Sequence, residues 1–342
     1  MHVNIWGSNS KRSNSLEYEL QQSFERYGHT ADIVNMERPV QRDGPIFIRN
    51  KFYGYLKKGT FNVVHDHVRG LEKRMGTIND SDSLLCVRDK WVSPQEFREL
   101  EVPHVRTYEV GPENMMDFVD YWSAAVPGGV ILKDRFGGKG KGIIRVQKDD
   151  GYRVDVCGVD GEEDMKNQKV SETDLSFILA GIQRNHKLIG QPYVVSEHER
   201  TTDYTESESI RVLCADNYAL GMARRAEGPI NNIAVAKNSL VQGRAVKTEV
   251  TPSEYIASDL LRLGLNLRVM GNDFIRTDPE LYRDTPGVLW LPRRYDGGPL
   301  SVLLEVNGNV QYGGIQSLYD MNISDTIVEG LCGGRDSNPR TH

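Results

Sequence analysis

The sequence predicts a multi-domain α/β protein, and three observations predict it. The chain has 342 residues, more than one ordinary compact core encloses. Its opening reads as strand, helix, strand, and two later stretches read as β-hairpins. Two sequences of helix-start form, Ser93-Pro94-Gln95-Glu96 and Thr251-Pro252-Ser253-Glu254, place helices after the first domain as well.

Taken in order, Val3-Asn4-Ile5-Trp6 is a short strand. Ser13-Asn14-Ser15 are candidate caps for a helix carrying Leu16, Leu20, Phe24 and Tyr27 at helical spacing. Ala31–Val34 and Ile46–Arg49 are the next strands and Val63–Met75 the next helix, so residues 1–88 form a first α/β layer. The capping box at Ser93 opens a short helix with Phe97 and Leu100, stopped near Pro103. A helix over Glu113–Ala124 precedes two β-rich runs, 129–133 and 142–146, which form a hairpin around a glycine-rich connector. Residues 148–170 are polar and acidic, and read as exposed turns or a short polar hairpin. A helix is expected over Thr173–Asn185, a strand over Tyr193–Glu197, and a hairpin from 210–214 and 219–224. The box at Thr251 opens a helix with Ile256, Leu260 and Leu263 on one face, ending at Gly264. Residues 333–342 have little to bury and are expected to be disordered.

A net charge of −6 and a pI near 5.8 argue against nucleic-acid binding by bulk phosphate neutralisation. The four cysteines, Cys86, Cys157, Cys214 and Cys332, have no paired spacing, which fits reduced thiols rather than a disulfide framework or a zinc site. The N-terminus has no signal-peptide pattern, and no apolar stretch is long enough to span a bilayer. The expected location is the cytoplasm, with no membrane partner.

The chemistry concentrates at Glu305-Val306-Asn307, at the end of an apolar run. On a strand, residues two apart share a face, so Glu305 and Asn307 present oxygen ligands of the kind a hard divalent cation takes. Asp273, in Gly271-Asn272-Asp273-Phe274, offers another from a neighbouring strand. Upstream, Gly137-Gly138-Lys139-Gly140-Lys141-Gly142 is no Walker A loop, because it lacks the Lys-Ser/Thr ending and lies between strands. As a hairpin tip with free backbone N–H groups and two lysines it suits a flap over phosphates. Lys133 ends the strand before it, and Arg211 with the pair Arg224-Arg225 lies on adjacent β segments before Asn231-Asn232. Guanidinium groups there would neutralise a triphosphate or an acyl phosphate. Each of these residues taken singly is also an ordinary surface charge. His65-Asp66-His67 lacks a third ligand nearby, and no Gly-x-Ser-x-Gly elbow supports a serine triad.

In sequence order, Arg88-Asp89-Lys90, Ile131-Leu132-Lys133, the Gly137–Gly142 flap, Tyr193–Glu197, Ser209-Ile210-Arg211, Ala223-Arg224-Arg225, Asn231–Ala234, Asn272-Asp273-Phe274 and Leu304–Asn307 resemble the ATP-grasp superfamily. The likeness is greatest to the branch of ribosomal-protein glutamate ligases, lysine-biosynthesis ligases and bacterial glutathione synthetase, and it spans about residues 1 to 330. The resemblance implies an α/β (α+β) ATP-grasp fold: an N-terminal Rossmann-like domain over 1–88, a central lid with the flap over 89–193, and a C-terminal domain over 194–332. It implies that Lys90, Lys133 and the flap residues Gly138, Lys139, Gly140 and Lys141 contact ATP. Ser196, Glu197 and His198 belong to the hinge that reads adenine, and Asn232 joins the nucleotide contacts. Arg211 and Arg225 face the acyl phosphate and the γ-phosphate. Asp273, Glu305 and Asn307 bind Mg²⁺, two ions with Glu305 bridging them, and Mn²⁺ is an alternative. The implied reaction is ATP-dependent amide formation between a carboxylate and an amine through an acyl phosphate. The acceptor is a free amino acid, a peptide or a protein tail, and a homo-oligomer is compatible with the resemblance. A small-molecule kinase or an inactive ATP-binding protein would share the same residues. The chain departs from the pattern at Ser209, where an acidic residue often stands, and at Ala236-Lys237-Asn238, where a Gly-Gly pair often follows. Residues 276–299, with Trp290 and Arg293-Arg294, look like an insertion between the metal-ligand strands.

Overall fold

The computed structural model describes residues 1–7, 16–34, 40, 42–48, 61–126, 128–137, 142–157, 165–203, 206–216, 218–227, 244–292, 300–308, 312–332 and 340–341. Three sheets organise them. In the first, β1 (His2–Trp6), α1 (Leu16–Arg26), β2 (Thr30–Val34) and β3 (Ile46–Ile48) give a parallel layer in the order β2-β1-β3. Helix α1 buries Leu20 and Phe24 against it, as the spacing predicts.

Helices α2 (Phe61–Met75), α3 (Ser81–Arg88) and α4 (Ser93–Glu99) lead on from there. The expected capping box at Ser93 does not form, because Val92 holds the N-cap position. Asp89 organises this turn instead, its side chain accepting from the Trp91 and Val92 N–H groups at 3.0 and 3.4 Å.

Strand β4 (His104–Val105) is followed by β5 (Tyr108–Val110), α5 (Met115–Ala125), β6 (Val130–Asp134), β7 (Ile143–Asp149), β8 (Gly151–Cys157), β9 (Met165–Val170), α6 (Glu172–Gln183) and β10 (Leu188–Pro192). The six strands after β4 form an antiparallel sheet in the order β5-β10-β6-β7-β8-β9. The predicted hairpin is β6-β7, and of the segment 148–170 the described strands β8 and β9 pair antiparallel. The strand expected at Tyr193–Glu197 is misplaced: β10 ends at Pro192, and Glu197 begins a helix. The β-branched pair Val194-Val195 suggested a strand, yet tertiary partners take the backbone here. The Val195 N–H donates to the Tyr282 hydroxyl (2.7 Å), and the Val195 carbonyl accepts from Thr277 Oγ1 (2.7 Å).

The third sheet uses α7 (Glu197–Thr201), β11 (Glu206–Ala215), β12 (Tyr218–Glu227), β13 (Arg244–Thr248), α8 (Pro252–Gly264), β14 (Val269–Thr277), β15 (Leu289–Trp290), β16 (Leu300–Asn307), α9 (Gly313–Tyr319) and α10 (Ile323–Cys332). Its order is β13-β12-β11-β14-β16-β4-β15. Strand β4 therefore belongs to this sheet, although it precedes the second sheet in sequence. The 276–299 insertion contributes β15, where Trp290 stacks on His104 with ring centroids 5.2 Å apart; Arg293 and Arg294 lie outside the described residues.

Helix α8 has the capping box of Thr251 and Glu254, as expected, but it presents the opposite face. Ile256, Leu260 and Leu263 are 60%, 39% and 62% exposed, while Ala257 and Leu261 are buried. Polar anchors choose the face. Buried Glu254 accepts from Arg276 (2.8 and 2.9 Å) and Ser301 (2.9 Å), and Ser258 accepts from the Asn272 amide (2.8 Å).

One apolar cluster joins the second and third sheets through Ile131, Ile144, Tyr193, Ile275, Val302 and Leu304. The expected disordered tail lies outside the described residues except for Arg340–Thr341, which pair with β12 as a short parallel strand. Cys86, Cys214 and Cys332 are free thiols, and no helix among the described residues is long and apolar enough to cross a membrane.

Candidate active site

Alternation along three adjacent strands builds the centre. In β14 and β16, Asp273 stands opposite Glu305 and Gly271 opposite Asn307, with a register shift just after Asp273. On the other side of β14, Arg211 of β11 stands opposite Asp273. Asp273 is 2% exposed and accepts from Arg211 Nε (2.8 Å) and Nη2 (2.7 Å), and pairs with Arg224 at 3.1 Å. The Asn307 amide donates to Asp273 (3.2 Å) and to Glu305 (3.3 Å). Burial pushes the Asp273 carboxyl up, but the charges of Arg211 and Arg224 outweigh it and hold the group at about 2. For Arg211, burial acts downward and Asp273 reverses it, whereas for Arg224 burial prevails and its pKa is lowered.

The donor set fits a hard cation. Two carboxylates and one amide oxygen give three oxygen ligands with room for phosphate or water. Among the described residues no group of three His, Cys, Asp or Glu side chains comes together; the oxygen donors gathered here are two carboxylates and the Asn307 amide. Asn307 shows its nitrogen to both carboxylates here, and a flip of the amide exchanges nitrogen for oxygen. The strand ends are clamped by Asn79, which donates to the Val269 and Gly308 carbonyls (2.8 and 3.0 Å) and accepts from the Val269 N–H (3.0 Å).

Two lysines face this centre, Lys133 from a strand of the second sheet and Lys90 from the turn between α3 and α4. Lys133 on β6 is buried and donates to Gln191 Oε1 at 2.6 Å. Burial lowers its pKa to about 8, opposed chiefly by the charge of Glu305. Lys90 donates its ammonium to the Gly137 carbonyl, and its N–H to that of Arg135 (3.2 Å). Its loop is pinned by the two-pronged Arg135–Asp89 pair at 2.7 and 2.6 Å. Burial also lowers the Lys90 pKa, with Glu305 again the main opposing charge. The structure thus gathers Lys90, Lys133, Arg211, Asp273, Glu305 and Asn307.

Arg225 is on the opposite face of β12 from Arg224, because neighbours on a strand point to opposite sides; it pairs with Glu208 at 2.6 Å. Of the pair, Arg224 is the one that meets Asp273. The Ser196 hydroxyl caps α7, accepting from the Glu199 N–H at 3.1 Å. Glu197 is exposed, and His198 pairs with Glu206 at 3.0 Å. Gly138, Lys139, Gly140, Lys141 and Asn232 lie outside the described residues. Sequence reasoning missed Gln191; a lone polar residue in Leu188-Ile189-Gly190-Gln191, two positions beyond the partner of Lys133, was the available signal.

No protein-family model matches the chain, and no curated protein does. Solved structures do match. The macrocyclase MdnC, bound with precursor peptide MdnA from Microcystis aeruginosa, is 13% identical over 97% of this chain and 99% of its own, with a TM-score of 0.59. The Chryseobacterium gregarium RiPP-associated ATP-grasp ligase, in complex with ADP and a leader and core peptide, is 13% identical over 99% of both chains, also at 0.59. The ATP-grasp ligase PsnB, complexed with minimal precursor, Mg and ADP, is 13% identical over 97% of both chains at 0.57. Identity this low carries the architecture alone, and nearly complete coverage in each case establishes it: this chain has the ATP-grasp fold.

Proposed function

We propose that the chain is an ATP-dependent ligase that joins a carboxylate to an amine, with a peptide supplying at least one of them. The observation that carries this reading is the convergence of Lys133, from the second sheet, and Lys90, from the turn before α4, on the Asp273–Glu305–Asn307 oxygen set of the third sheet. Such a cleft takes a polyphosphate together with a divalent cation. The peptide is favoured because MdnC, PsnB and the Chryseobacterium ligase each hold one.

Asp273, Glu305 and Asn307 would hold Mg²⁺, which when bound shields the phosphate charge. Lys133, fixed by Gln191, and Lys90, fixed by Gly137, supply positive charge to the phosphates. Arg211 and Arg224 stabilise the transferring phosphoryl group. A substrate carboxylate oxygen attacks the γ-phosphorus, and ADP leaves with the electrons of the broken P–O bond. The amine nitrogen then attacks the acyl carbon, phosphate departs, and the amine gives up a proton. No protein side chain forms a covalent bond. Burial of the basic residues keeps water from the acyl phosphate.

The test is ADP and phosphate release from Mg-ATP against amino acids and peptides, singly and in pairs, with mass spectrometry. Release that needs both partners, and a product one water lighter than their sum, supports the ligase. A phosphorylated product, or no Mg-ADP binding, refutes it.

A further inference from the structure

On the site face of β11, two and four positions outward from Arg211, lie two serines that the reaction above does not use. Ser207 and Ser209 are fully buried, and neither hydroxyl has a partner among the described residues. Ser209 stands directly across from Arg224. The Nε of Arg224 is buried and unpartnered as well, although Nη2 of the same guanidinium pairs with Asp273. Buried donors are almost always satisfied, so three together on one sheet face mark a place for a ligand group. An acidic side chain at 209 would pair with Arg224; the serine leaves the Arg224 Nε–H without a charged partner.

We propose that Ser207, Ser209 and Arg224 Nε form a subsite for a second, non-reacting carboxylate of the substrate, an inference that rests on the ligase reading. The geometry favours a carboxylate: the Nε–H of Arg224 offers a planar donor beside a hydroxyl, the shape a carboxylate takes. The substrate is therefore an acidic one: a peptide with an Asp or Glu side chain or a terminal carboxylate near the reacting acid.

Glutarate and its monoamide, glutaramate, are the probes, titrated calorimetrically into the protein with and without Mg-ADP. Wild type should bind glutarate about tenfold more tightly than glutaramate, the size of one charge-assisted contact. Ser209→Ala should lose that preference, Ser209→Asp should lose glutarate binding, and Ser209→Thr, which keeps the hydroxyl, should retain the preference and serve as the folding control. Equal affinity for the two probes in wild type, or an undiminished preference in Ser209→Ala, overturns the subsite. Mg-ADP binding by wild type is read separately, and its absence counts against the ligase reading instead.

Discussion

Asp273→Asn is the substitution whose cost the structure sets most directly. One buried carboxylate holds two guanidinium groups, Arg211 through contacts of 2.8 and 2.7 Å and Arg224 at 3.1 Å. Asparagine keeps the volume but turns an NH₂ toward a cation and removes the charge that compensates both. Removing one partner of a buried ion pair costs about 3 to 5 kcal/mol. Glu305 lies near enough to act on both arginines, which places the cost at the lower end, ~3 kcal/mol. At about 3 °C per kcal/mol for a domain of this size, the melting midpoint should fall by ~10 °C. The assay is thermal unfolding without Mg²⁺, followed by circular dichroism at low and high salt. The loss should persist at high salt, because a buried pair is poorly screened. Adding Arg211→Met should recover part of it, as coupled partners do not add. A midpoint within about 2 °C of wild type would show that the guanidinium groups find other compensation, and would refute the reasoning.

The two arginines of β12 should separate cleanly. Arg224→Ala should abolish ligase turnover, while Arg225→Ala, on the far face with Glu208, should leave ADP release within about twofold and cost about 1 kcal/mol of stability by denaturant titration; the reverse pattern would reverse the face assignment. On α8, Leu261→Ala should cost about 2 to 5 kcal/mol by the same titration, and Leu263→Ala under about 0.5; equal costs would mean that the exposed face is covered. The buried His104, which bonds the Val102 carbonyl at 2.9 Å, has its pKa lowered to about 4 by burial, with Arg106 and Arg98 adding to the effect. Its neutral form belongs to the fold, so its contribution is complete above about pH 6.5 and is lost as pH falls through 4, by up to ~3 kcal/mol. Stability measured across that window should show the acid loss in wild type and a flatter profile in His104→Gln; an identical slope in the two would remove His104 as its source.

Much of the local structure was legible in the residues. The strand–helix–strand opening, the β6-β7 and β11-β12 hairpins and the capping box at Thr251 follow from periodicity and cap chemistry, which act over a few residues. The spacing of Glu305 and Asn307 put both on one face without any knowledge of the fold, because a strand alternates. Alternation also dictated that Arg224 and Arg225 part company, but which of them faces Asp273 depends on the register of β11 against both neighbours, and register is a long-range property. Tertiary structure alone decided that Val195 leaves the sheet, since Tyr282 and Thr277 claim its backbone from more than eighty residues away. It likewise turned α8 by its polar side: Glu254 and Ser258 found buried partners on β14 and β16, and those contacts outweighed the exposure of Ile256, Leu260 and Leu263. The chain by itself determined which chemistry was present; only packing, which brings distant strands into one register and buries charge against charge, decided which of those residues meet.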